Sequence, residues 1–209
     1  MPETTRLTLE ARGITCRRGY RTLFENLTFS VSAGECLALV GPNGSGKTSL
    51  LRILAGLAKP DAGTVTMERE GPPYSGNVHY LAHSDGLKGA LTALENLTFW
   101  KNYYGGQSDP VDALEMLDIL ELAHLPASVL SAGQRRRVAL CRLLVARRAL
   151  WLMDEPTSAL DAASEAVLGQ IMNDHLAAGG IIVAATHGPL PVETNSELDV
   201  SRTQITEPL

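Results

Sequence analysis

The chain has 209 residues, and its 18 Lys and Arg against 23 Asp and Glu give a formal net charge of −5. With 44% hydrophobic and 20% charged residues, the composition is typical of a globular chain and argues against disorder. The acidic balance disfavours a nucleic-acid binder that neutralises phosphates over its whole surface. Cys16, Cys36 and Cys141 form no Cys-x-x-Cys pair, which disfavours a disulfide scaffold or a zinc site.

The sequence also predicts no membrane-spanning segment. The first ten residues lack the apolar core of a signal peptide. The longest uncharged apolar stretch, residues 176–192, is interrupted by glycines and prolines and falls short of the ~20 residues that span a bilayer. We therefore expect a soluble chain, with any membrane role carried by a partner.

The first part of the sequence predicts three strands followed by a helix. Leu7–Leu9 and Leu27–Val31 alternate polar with apolar residues, which is typical of antiparallel strands. Cys36–Val40 is a continuous apolar run, as expected of a strand buried on both faces of a parallel sheet. A helix is predicted over Lys47–Ala55, with Gly56 ending it.

Residues 83–148 carry helical patterns and no strand pattern. The capping box Thr92–Glu95 predicts the start of one helix, and Pro110–Leu122 predicts a second. A further capping box, Ser131–Gln134, begins an Arg-rich helix that is expected to reach about Arg148. This part of the chain therefore predicts a helical lobe.

Two apolar runs after the lobe, Leu150–Met153 and Ile181–Thr186, predict further buried parallel strands. Strands and helices in this order predict an α/β fold with right-handed crossovers. We expect one domain over residues 1–209. Its catalytic core would comprise residues 1–82 and 149–209, with the helical lobe of residues 83–148 inserted between them.

A glycine-rich motif follows the predicted strand Cys36–Val40 and begins a helix, which is the context of a phosphate-binding P-loop. Glycines allow backbone N–H groups to surround phosphate oxygens, Lys47 would reach the β- and γ-phosphates, and Thr48 would offer its hydroxyl to Mg²⁺. The alternative is a glycine-rich turn that binds nothing. The candidate phosphate-binding residues are Gly41, Pro42, Asn43, Gly44, Ser45, Gly46, Lys47 and Thr48.

The apolar strand Leu150–Met153 ends in two carboxylates, Asp154 and Glu155. A strand that ends beside the P-loop would bring Asp154 to Mg²⁺, which is the Walker B arrangement. Glu155 would then polarise the water that attacks the γ-phosphate. The alternative is a strand that simply meets solvent through two acidic residues.

The motif Leu130-Ser-Ala-Gly-Gln134 resembles the signature of the ATP-binding-cassette (ABC) ATPases, and the order of P-loop, signature and Walker B is that of the family. Ser158-Ala-Leu-Asp161 resembles the family's D-loop, and His187 matches its switch histidine, which contacts the γ-phosphate. The resemblance runs from about residue 5 to residue 190. It implies that Ser131, Gly133 and Gln134 face ATP held by a second copy.

The resemblance also implies a fold and ligands. We expect a P-loop NTPase with a RecA-like core, a small antiparallel β-subdomain and an inserted helical subdomain. ATP and Mg²⁺ are the implied ligands. A second copy of the chain and polytopic membrane subunits are the implied partners.

Two positions depart from the family pattern. Arg17 or Arg18, with Tyr20 nearby, stands where the family usually has an aromatic residue that stacks on adenine. His83 stands where the loop that joins the lobes usually has glutamine, and we expect it to face the nucleotide.

The segment from His83 to Leu97 resembles one subfamily, the ATP-binding subunit of the cytochrome c maturation (haem exporter) transporter. This resemblance implies haem export, or release of a haem-loaded chaperone, at the cytoplasmic face of the bacterial inner membrane. Alternatives are another small-substrate ABC transporter, a soluble ABC ATPase that acts on DNA or ribosomes, and a P-loop GTPase or kinase. No Asn-Lys-x-Asp guanine motif occurs in the sequence. We expect no nucleic-acid partner.

Three further features have competing interpretations. We expect no direct haem ligation by His79 and His83, since a CxxCH motif is lacking. An arginine cluster favours a solvated or dimer-facing helix over RNA binding; it comprises Arg135, Arg136, Arg137, Arg142, Arg147 and Arg148. A set of apolar residues either lines a groove for a partner helix or forms the core of the lobe; it comprises Leu87, Leu91, Leu94, Trp100, Tyr103 and Tyr104.

Overall fold

A computed structural model describes residues 7–68 and 77–203 of the chain. In these residues the strands form two sheets. A three-stranded antiparallel sheet has the order β2-β1-β4, and a five-stranded parallel sheet has the order β5-β6-β7-β3-β8. In chain order the strands are Thr8–Arg18 (β1), Arg21–Ser32 (β2), Cys36–Val40 (β3), Ala62–Glu68 (β4), Val78–Leu81 (β5), Leu150–Asp154 (β6), Ile181–Ala185 (β7) and Ser196–Asp199 (β8).

The helices of the described residues connect these strands. Three 3₁₀ turns accompany them, over Leu120–Leu122, Ala127–Val129 and Val200–Thr203. In the part of the chain that the structure describes, no helix combines the length and apolar character that a membrane span requires. The α-helices are Lys47–Leu54 (α1), Ala93–Tyr104 (α2), Pro110–Met116 (α3), Ala132–Val145 (α4) and Ala162–Ala177 (α5).

The continuous apolar runs of the parallel strands have a direct cause in the packing. Successive side chains of a strand point to opposite faces of the sheet. Trp151 and Met153 of β6 therefore join a core on the side of α2–α5, while Leu150 and Leu152 join a second core shared with the antiparallel sheet. Because both faces are covered, every residue of β6 is buried.

The two predicted capping boxes are present. At the start of α2, the Thr92 hydroxyl accepts a hydrogen bond from the backbone N–H of Glu95. At the start of α4, Ser131 and Gln134 make the equivalent pair of bonds. Each box satisfies two backbone donors that a helix N-terminus otherwise leaves open. Because this stabilisation is local, both helix starts were predicted correctly.

Two predicted helix ends are wrong. The helix predicted over Pro110–Leu122 ends at Met116, because Asp118 adopts a left-handed backbone conformation with φ 53° and only a 3₁₀ turn follows. The Arg-rich helix ends at Val145 rather than near Arg148, because Ala146 is extended, with φ −148°.

The antiparallel strands are longer than the sequence predicted. The strand expected at Leu7–Leu9 is the start of β1, which continues to Arg18 because it pairs on one side with β2 and on the other with β4. Gly13, with φ 61°, lies at a register shift within it. Strands β4, β5 and β8 and helix α5 were not predicted, since their sequences carry weak or mixed patterns.

The parallel sheet decides where chemistry can occur. The carboxyl ends of β3, β6 and β7 lie side by side at one edge, as the parallel pairing requires. The residues that follow these three strands begin at Gly41, Glu155 and Thr186. Three motifs that are far apart in the sequence therefore meet at this edge.

Candidate functional site

The loop between β3 and α1 has a backbone that only glycine adopts freely. Gly41, Gly44 and Gly46 have φ angles of 131°, 76° and 108°. A Cβ at Gly46 would also lie 3.0 Å from the Phe24 ring. No side chain caps the start of α1, so its first N–H groups stay available to an anion.

Two polar side chains of this loop are buried against it. The ammonium group of Lys47 donates to the carbonyls of Gly41 at 2.6 Å and Pro42 at 3.3 Å, and the residue is only 7% exposed. The buried hydroxyl of Ser45 has no hydrogen-bond partner among the described residues. A buried polar group without a partner is costly, and a phosphate oxygen would satisfy it.

The P-loop and β6 are joined by a direct side-chain contact. The Thr48 hydroxyl donates to the Asp154 carboxylate at 2.8 Å. Asp154 is the last residue of β6 and is 4% exposed. A hydroxyl and a carboxylate oxygen side by side are the hard oxygen donors that Mg²⁺ prefers, so these residues fit that ion.

Glu155 and His187 form the other side of the site. Their side chains approach to 3.5 Å between Oε1 and Nε2, and both reach solvent. Glu155 has a left-handed backbone, with φ 49°, and its N–H donates to Ala185 O at 2.9 Å. A non-glycine residue in this conformation needs support from its surroundings, which is common at functional sites.

An open cavity of about 600 Å³ lies at this edge of the sheet. It brings together the predicted residues Asn43, Lys47, Thr48, Asp154, Glu155, His83 and His187 with the rest of the loop from Pro42. Ser158, from the predicted D-loop, also lines it. Leu23 and Ser49 line it as well; sequence reasoning missed both, since Leu23 belongs to no motif and Ser49 follows one.

The predicted signature residues are not part of this cavity. Ser131 is exposed at the start of α4, and its hydroxyl accepts from the Gln134 N–H at 3.2 Å. Gly133 lies against the chain at Ala159, where a Cβ would come within 2.8 Å of the Ala159 carbonyl oxygen. Within one chain, Ser131, Gly133 and Gln134 therefore lie outside the lining of the P-loop cavity.

The candidate base-stacking residues also lie outside the lining of the cavity. Arg17, Arg18 and Tyr20 are exposed at the turn between β1 and β2. Arg17 pairs with Glu25 at 3.5 Å, and the Arg18 guanidinium donates to the Arg17 carbonyl at 3.1 Å.

The interpretation of α4 as a solvated or dimer-facing helix is wrong for two of its arginines. Arg136 and Arg142 are 3% and 5% exposed. Arg142 donates to the Tyr80 carbonyl at 2.7 Å and lies 4.8 Å from the centre of the Trp100 ring. Both guanidinium groups therefore bind inside the molecule, where carbonyl oxygens and an aromatic face replace water.

Two histidines lie away from the cavity, His79 fully buried and His175 half-buried. His79 binds the Ala146 carbonyl at 2.7 Å, and burial lowers its pKa to about 3. His175 stacks on Trp151 at 3.8 Å between ring centres, and burial lowers its pKa to about 4. Among residues 7–68 and 77–203, no group of three or more His, Cys, Asp or Glu side chains is placed to hold a metal ion.

The aromatic part of the lobe shows both environments that the sequence left open. Leu87, Leu94 and Trp100 pack against the core beneath α2. Tyr103 is 70% exposed and Phe99 is 40% exposed, and their rings stack at 6.2 Å. One side of α2 therefore belongs to the core and the other side carries aromatic rings in solvent.

Fold and site together define an ATPase of the P-loop class. The family model of the ABC transporters matches residues 24–158, which include the P-loop, the signature and the Walker B strand. Solved structures agree in fold. A putative ABC transporter ATP-binding protein from Pyrococcus furiosus has a TM-score of 0.80 and 24% identity, over 93% of this chain and 98% of that one. A dimeric ATP-binding cassette bound to ADP and Pi has a TM-score of 0.77 and 23% identity, over 92% and 95%.

Similar sequences narrow the assignment. The cytochrome c biogenesis ATP-binding export protein CcmA of Rhodopseudomonas palustris (strain BisB5) is 52% identical over 187 residues, covering 88% of this chain and 94% of that protein. The CcmA protein of Bradyrhizobium diazoefficiens is 48% identical over 189 residues, with 89% and 94% covered. The chain therefore belongs to the ABC transporter family, as an ATPase subunit, and within it to the CcmA proteins.

Proposed function

We propose that this chain hydrolyses ATP to energise an ABC transporter complex in c-type cytochrome biogenesis. The observation that carries the proposal is the convergence of Lys47, Thr48, Asp154, Glu155 and His187 on one open cavity. The similarity to CcmA proteins supports the pathway.

The P-loop side of the cavity binds the phosphates. Lys47 exchanges its carbonyl partners for the β- and γ-phosphate oxygens, which a charged ammonium group binds more strongly. The Ser45 hydroxyl and the uncapped N–H groups of α1 bind the same oxygens. The remaining loop residues, Gly41 to Gly46, allow the backbone to approach the phosphates closely.

Thr48 and Asp154 are the residues that would hold Mg²⁺. Their oxygens already lie at hydrogen-bond distance from each other. When bound, the ion neutralises charge on the β- and γ-phosphates. Asp154 is almost fully buried, so its orientation is set by β6 and its carboxylate needs no rearrangement.

Glu155 is the general base and His187 contacts the γ-phosphate. A water molecule attacks the γ-phosphorus, its proton passes to the Glu155 carboxylate, and the bond to the ADP oxygen breaks. ADP and phosphate are the products. His187, within 3.5 Å of Glu155, donates to the transferred phosphoryl group and helps orient the carboxylate. His83 lines the same cavity and contacts the nucleotide from the lobe side.

A second copy of the chain completes each site. The signature residues Ser131, Gly133 and Gln134 are separated from the cavity of their own chain, so we assign them to ATP held by the other copy. Polytopic membrane subunits then dock on the region from His83 to Tyr104, in the helical lobe of residues 83–148. This places the chain peripherally at the cytoplasmic face of the inner membrane.

The work driven by hydrolysis is haem export or the release of a haem-loaded chaperone. Haem is handled by the membrane subunits in either case, and this chain does not ligate it. His79, the interior histidine nearest to His83 in sequence, is committed to the Ala146 carbonyl. We expect no nucleic-acid partner.

The substitution Glu155→Gln tests the catalytic part of the proposal. The amide cannot accept the proton, so hydrolysis should fall by at least ~100-fold while ATP stays bound and the two copies remain associated. Hydrolysis, nucleotide retention and size-exclusion chromatography measure these properties. Glu121→Gln, at an exposed position, is the matched control. A Glu155→Gln chain that hydrolyses ATP at the wild-type rate would contradict the role.

Recovery of the chain from membranes tests the physiological part. We expect polytopic membrane proteins of haem handling to purify with it, and more of them when Glu155→Gln holds ATP in place. Recovery with ribosomes or DNA, and with no membrane protein, would instead favour a soluble ABC ATPase.

A further inference from the structure

Arg136 is buried beneath the edge of the sheet that carries the proposed site. Its guanidinium makes several hydrogen bonds, although the proposed hydrolysis assigns it no role. It projects from α4, two residues after Gln134, and is 3% exposed. Arg136 is not among the residues that line the nucleotide cavity, although it binds the backbone carbonyls of two that are, Asp154 and Glu155. Its function must therefore be found in the groups that it holds.

One side of the guanidinium binds the chain that follows β6. Nη2 donates to the carbonyls of Asp154 at 3.0 Å and Glu155 at 2.6 Å, and Nε donates to that of Pro156 at 3.4 Å. These three carbonyls belong to consecutive residues that contain the proposed base. A planar guanidinium with several fixed donors can hold such an array, whereas a lysine ammonium cannot.

The other side binds the loop after β5. Nη1 donates to the Ala82 carbonyl at 3.1 Å and to the Asp85 carboxylate at 3.3 Å. Burial lowers the pKa of Arg136, and Asp85 is the largest charge that opposes this shift. Asp85 therefore stabilises a buried cation that would otherwise be expensive, and the pair connects the loop of His83 to the end of β6.

The backbone at Glu155 needs such support. Its φ of 49° is a conformation that residues other than glycine rarely adopt, and its carboxylate lies 3.5 Å from His187. The N–H of Glu155 donates to the Ala185 carbonyl, and the Glu155 carbonyl accepts from Arg136 at 2.6 Å and from the Ser158 N–H at 3.1 Å. Loss of Arg136, the shorter of the two carbonyl contacts, would leave only the Ser158 bond on this carbonyl and loosen the peptide that follows the base.

We propose that Arg136 is a positioning residue that fixes the carboxylate of Glu155 for proton transfer, and that Asp85 transmits the position of the 82–86 loop to it. The proposal rests on the assigned role of Glu155 as the base. Since the 82–86 loop lies at the start of the proposed docking region, displacement of Asp85 would move Arg136 and alter hydrolysis without a contact to ATP.

The substitution Arg136→Lys separates positioning from binding. We expect kcat for ATP hydrolysis by the full chain to fall by about tenfold, with KM for ATP changed by less than about twofold. Arg147→Lys, at an exposed position, is the control and should leave both constants unchanged. Circular dichroism and thermal unfolding establish that the variants are folded. An unchanged kcat in folded Arg136→Lys overturns the proposal.

The same change in the Glu155→Gln background tests whether Arg136 acts through Glu155. If it does, Arg136→Lys lowers the residual single-turnover rate by less than about twofold, because the base is already lost. An equal tenfold loss in both backgrounds shows a general structural effect and overturns the proposal. Wild-type hydrolysis by Glu155→Gln alone would instead refute the assigned base, whatever Arg136→Lys does.

Asp85, which pairs with Arg136, supplies a second variant that tests the proposal if Arg136→Lys does not fold. Asp85→Asn retains the size of a side chain that is 21% exposed and removes its charge. We expect kcat to fall about threefold at unchanged KM. Where Arg136→Lys does fold, adding Asp85→Asn to it should cause no further loss. Asp112→Asn, on the exposed side of α3, is the control. A wild-type kcat in Asp85→Asn overturns the role of the loop.

Discussion

Helices α1 and α4 both begin at a motif proposed to bind phosphate, yet their first turns differ. At α1 the N-cap is Gly46 in a left-handed conformation, no side chain caps the helix, and the open N–H groups border the cavity. At α4, Ser131 and Gln134 form a complete capping box on an exposed surface. The start of α1 therefore has N–H groups available to an anion bound by the same chain, whereas the start of α4 is already hydrogen-bonded by its own capping box.

This difference fits a site that is divided between two copies of the chain. An uncapped helix start is stable next to a polar cavity that solvent enters, and its N–H groups need no rearrangement to bind phosphate. The capped start of α4 keeps one hydroxyl proton on Ser131 free to donate, since the Ser131 oxygen accepts the helix N–H. The capping box and a role toward a second copy are therefore compatible.

The largest expected effect is at the first terminus. Lys47→Ala removes the charge that α1 presents to phosphate, so ATP affinity and hydrolysis should each fall by at least ~100-fold. Isothermal titration and a phosphate-release assay measure the two losses. Lys59→Ala, at an exposed position beyond α1, is the control. If Lys47→Ala retained its ATP affinity, Lys47 would not bind the phosphates, and the proposed difference between the starts of α1 and α4 would be contradicted.

A mixing experiment tests the division of the site between two copies. Lys47→Ala and Ser131→Ala chains should each be inactive alone, because each carries one defective half-site. In mixed dimers one site combines an intact P-loop with an intact signature, so activity should recover to about a quarter of the wild-type value. No recovery would show that Ser131 serves the ATP of its own chain.

The half-buried His175 sets the pH range in which these comparisons are valid. Burial holds the pKa of His175 at about 4, below the value of about 6.5 that it has in the unfolded chain. The unfolded chain therefore binds a proton first, and stability is lost as the pH falls from about 6.5 toward 4. Between pH 7 and pH 5, His175 accounts for a loss on the order of 2 kcal/mol.

His175→Phe should flatten this acid-side decline, since phenylalanine stacks on Trp151 without titrating. Denaturant unfolding at pH 7 and pH 5 measures the difference in the free energy of unfolding. An equally steep decline in His175→Phe would show that other groups, such as His79, carry the pH dependence.

The smallest effect concerns the cap of α4. Ser131→Ala should reduce the free energy of unfolding by about 1 kcal/mol, because the Gln134 N–H loses its acceptor. Thr92→Ala at the start of α2 removes an equivalent cap and should cost a similar amount. A much smaller loss in Ser131→Ala alone would mean that the Ser131 hydroxyl contributes little to the fold and is retained for its ligand.

The site was predictable from the sequence where the chemistry is carried by contiguous residues. The glycine-rich composition of Gly41 to Thr48 predicts the P-loop, and the strand that ends in Asp154 and Glu155 is uniformly apolar. The capping boxes at Thr92 and Ser131 also have a local cause, since their partners lie three residues away. Family resemblance then supplied the roles proposed for His187 and Ser131.

Other features depend on residues that are distant in the sequence. The helix at Pro110 stops early because of the left-handed Asp118, which no composition signal marks. Arg136 resembles its half-buried neighbours Arg135 and Arg137 in the sequence, and only its contacts with the ends of β5 and β6 make it an interior residue.

The sequence alone determined the class of chemistry, because P-loop, signature and Walker B each require particular residues in short, fixed arrangements. Tertiary structure decided how they meet. Parallel pairing of β3, β6 and β7 brought Lys47, Asp154 and His187 to one cavity, while the path of α4 kept Ser131 outside it. The physical reason is that a motif is a local property, whereas a site is a property of which strand ends lie side by side.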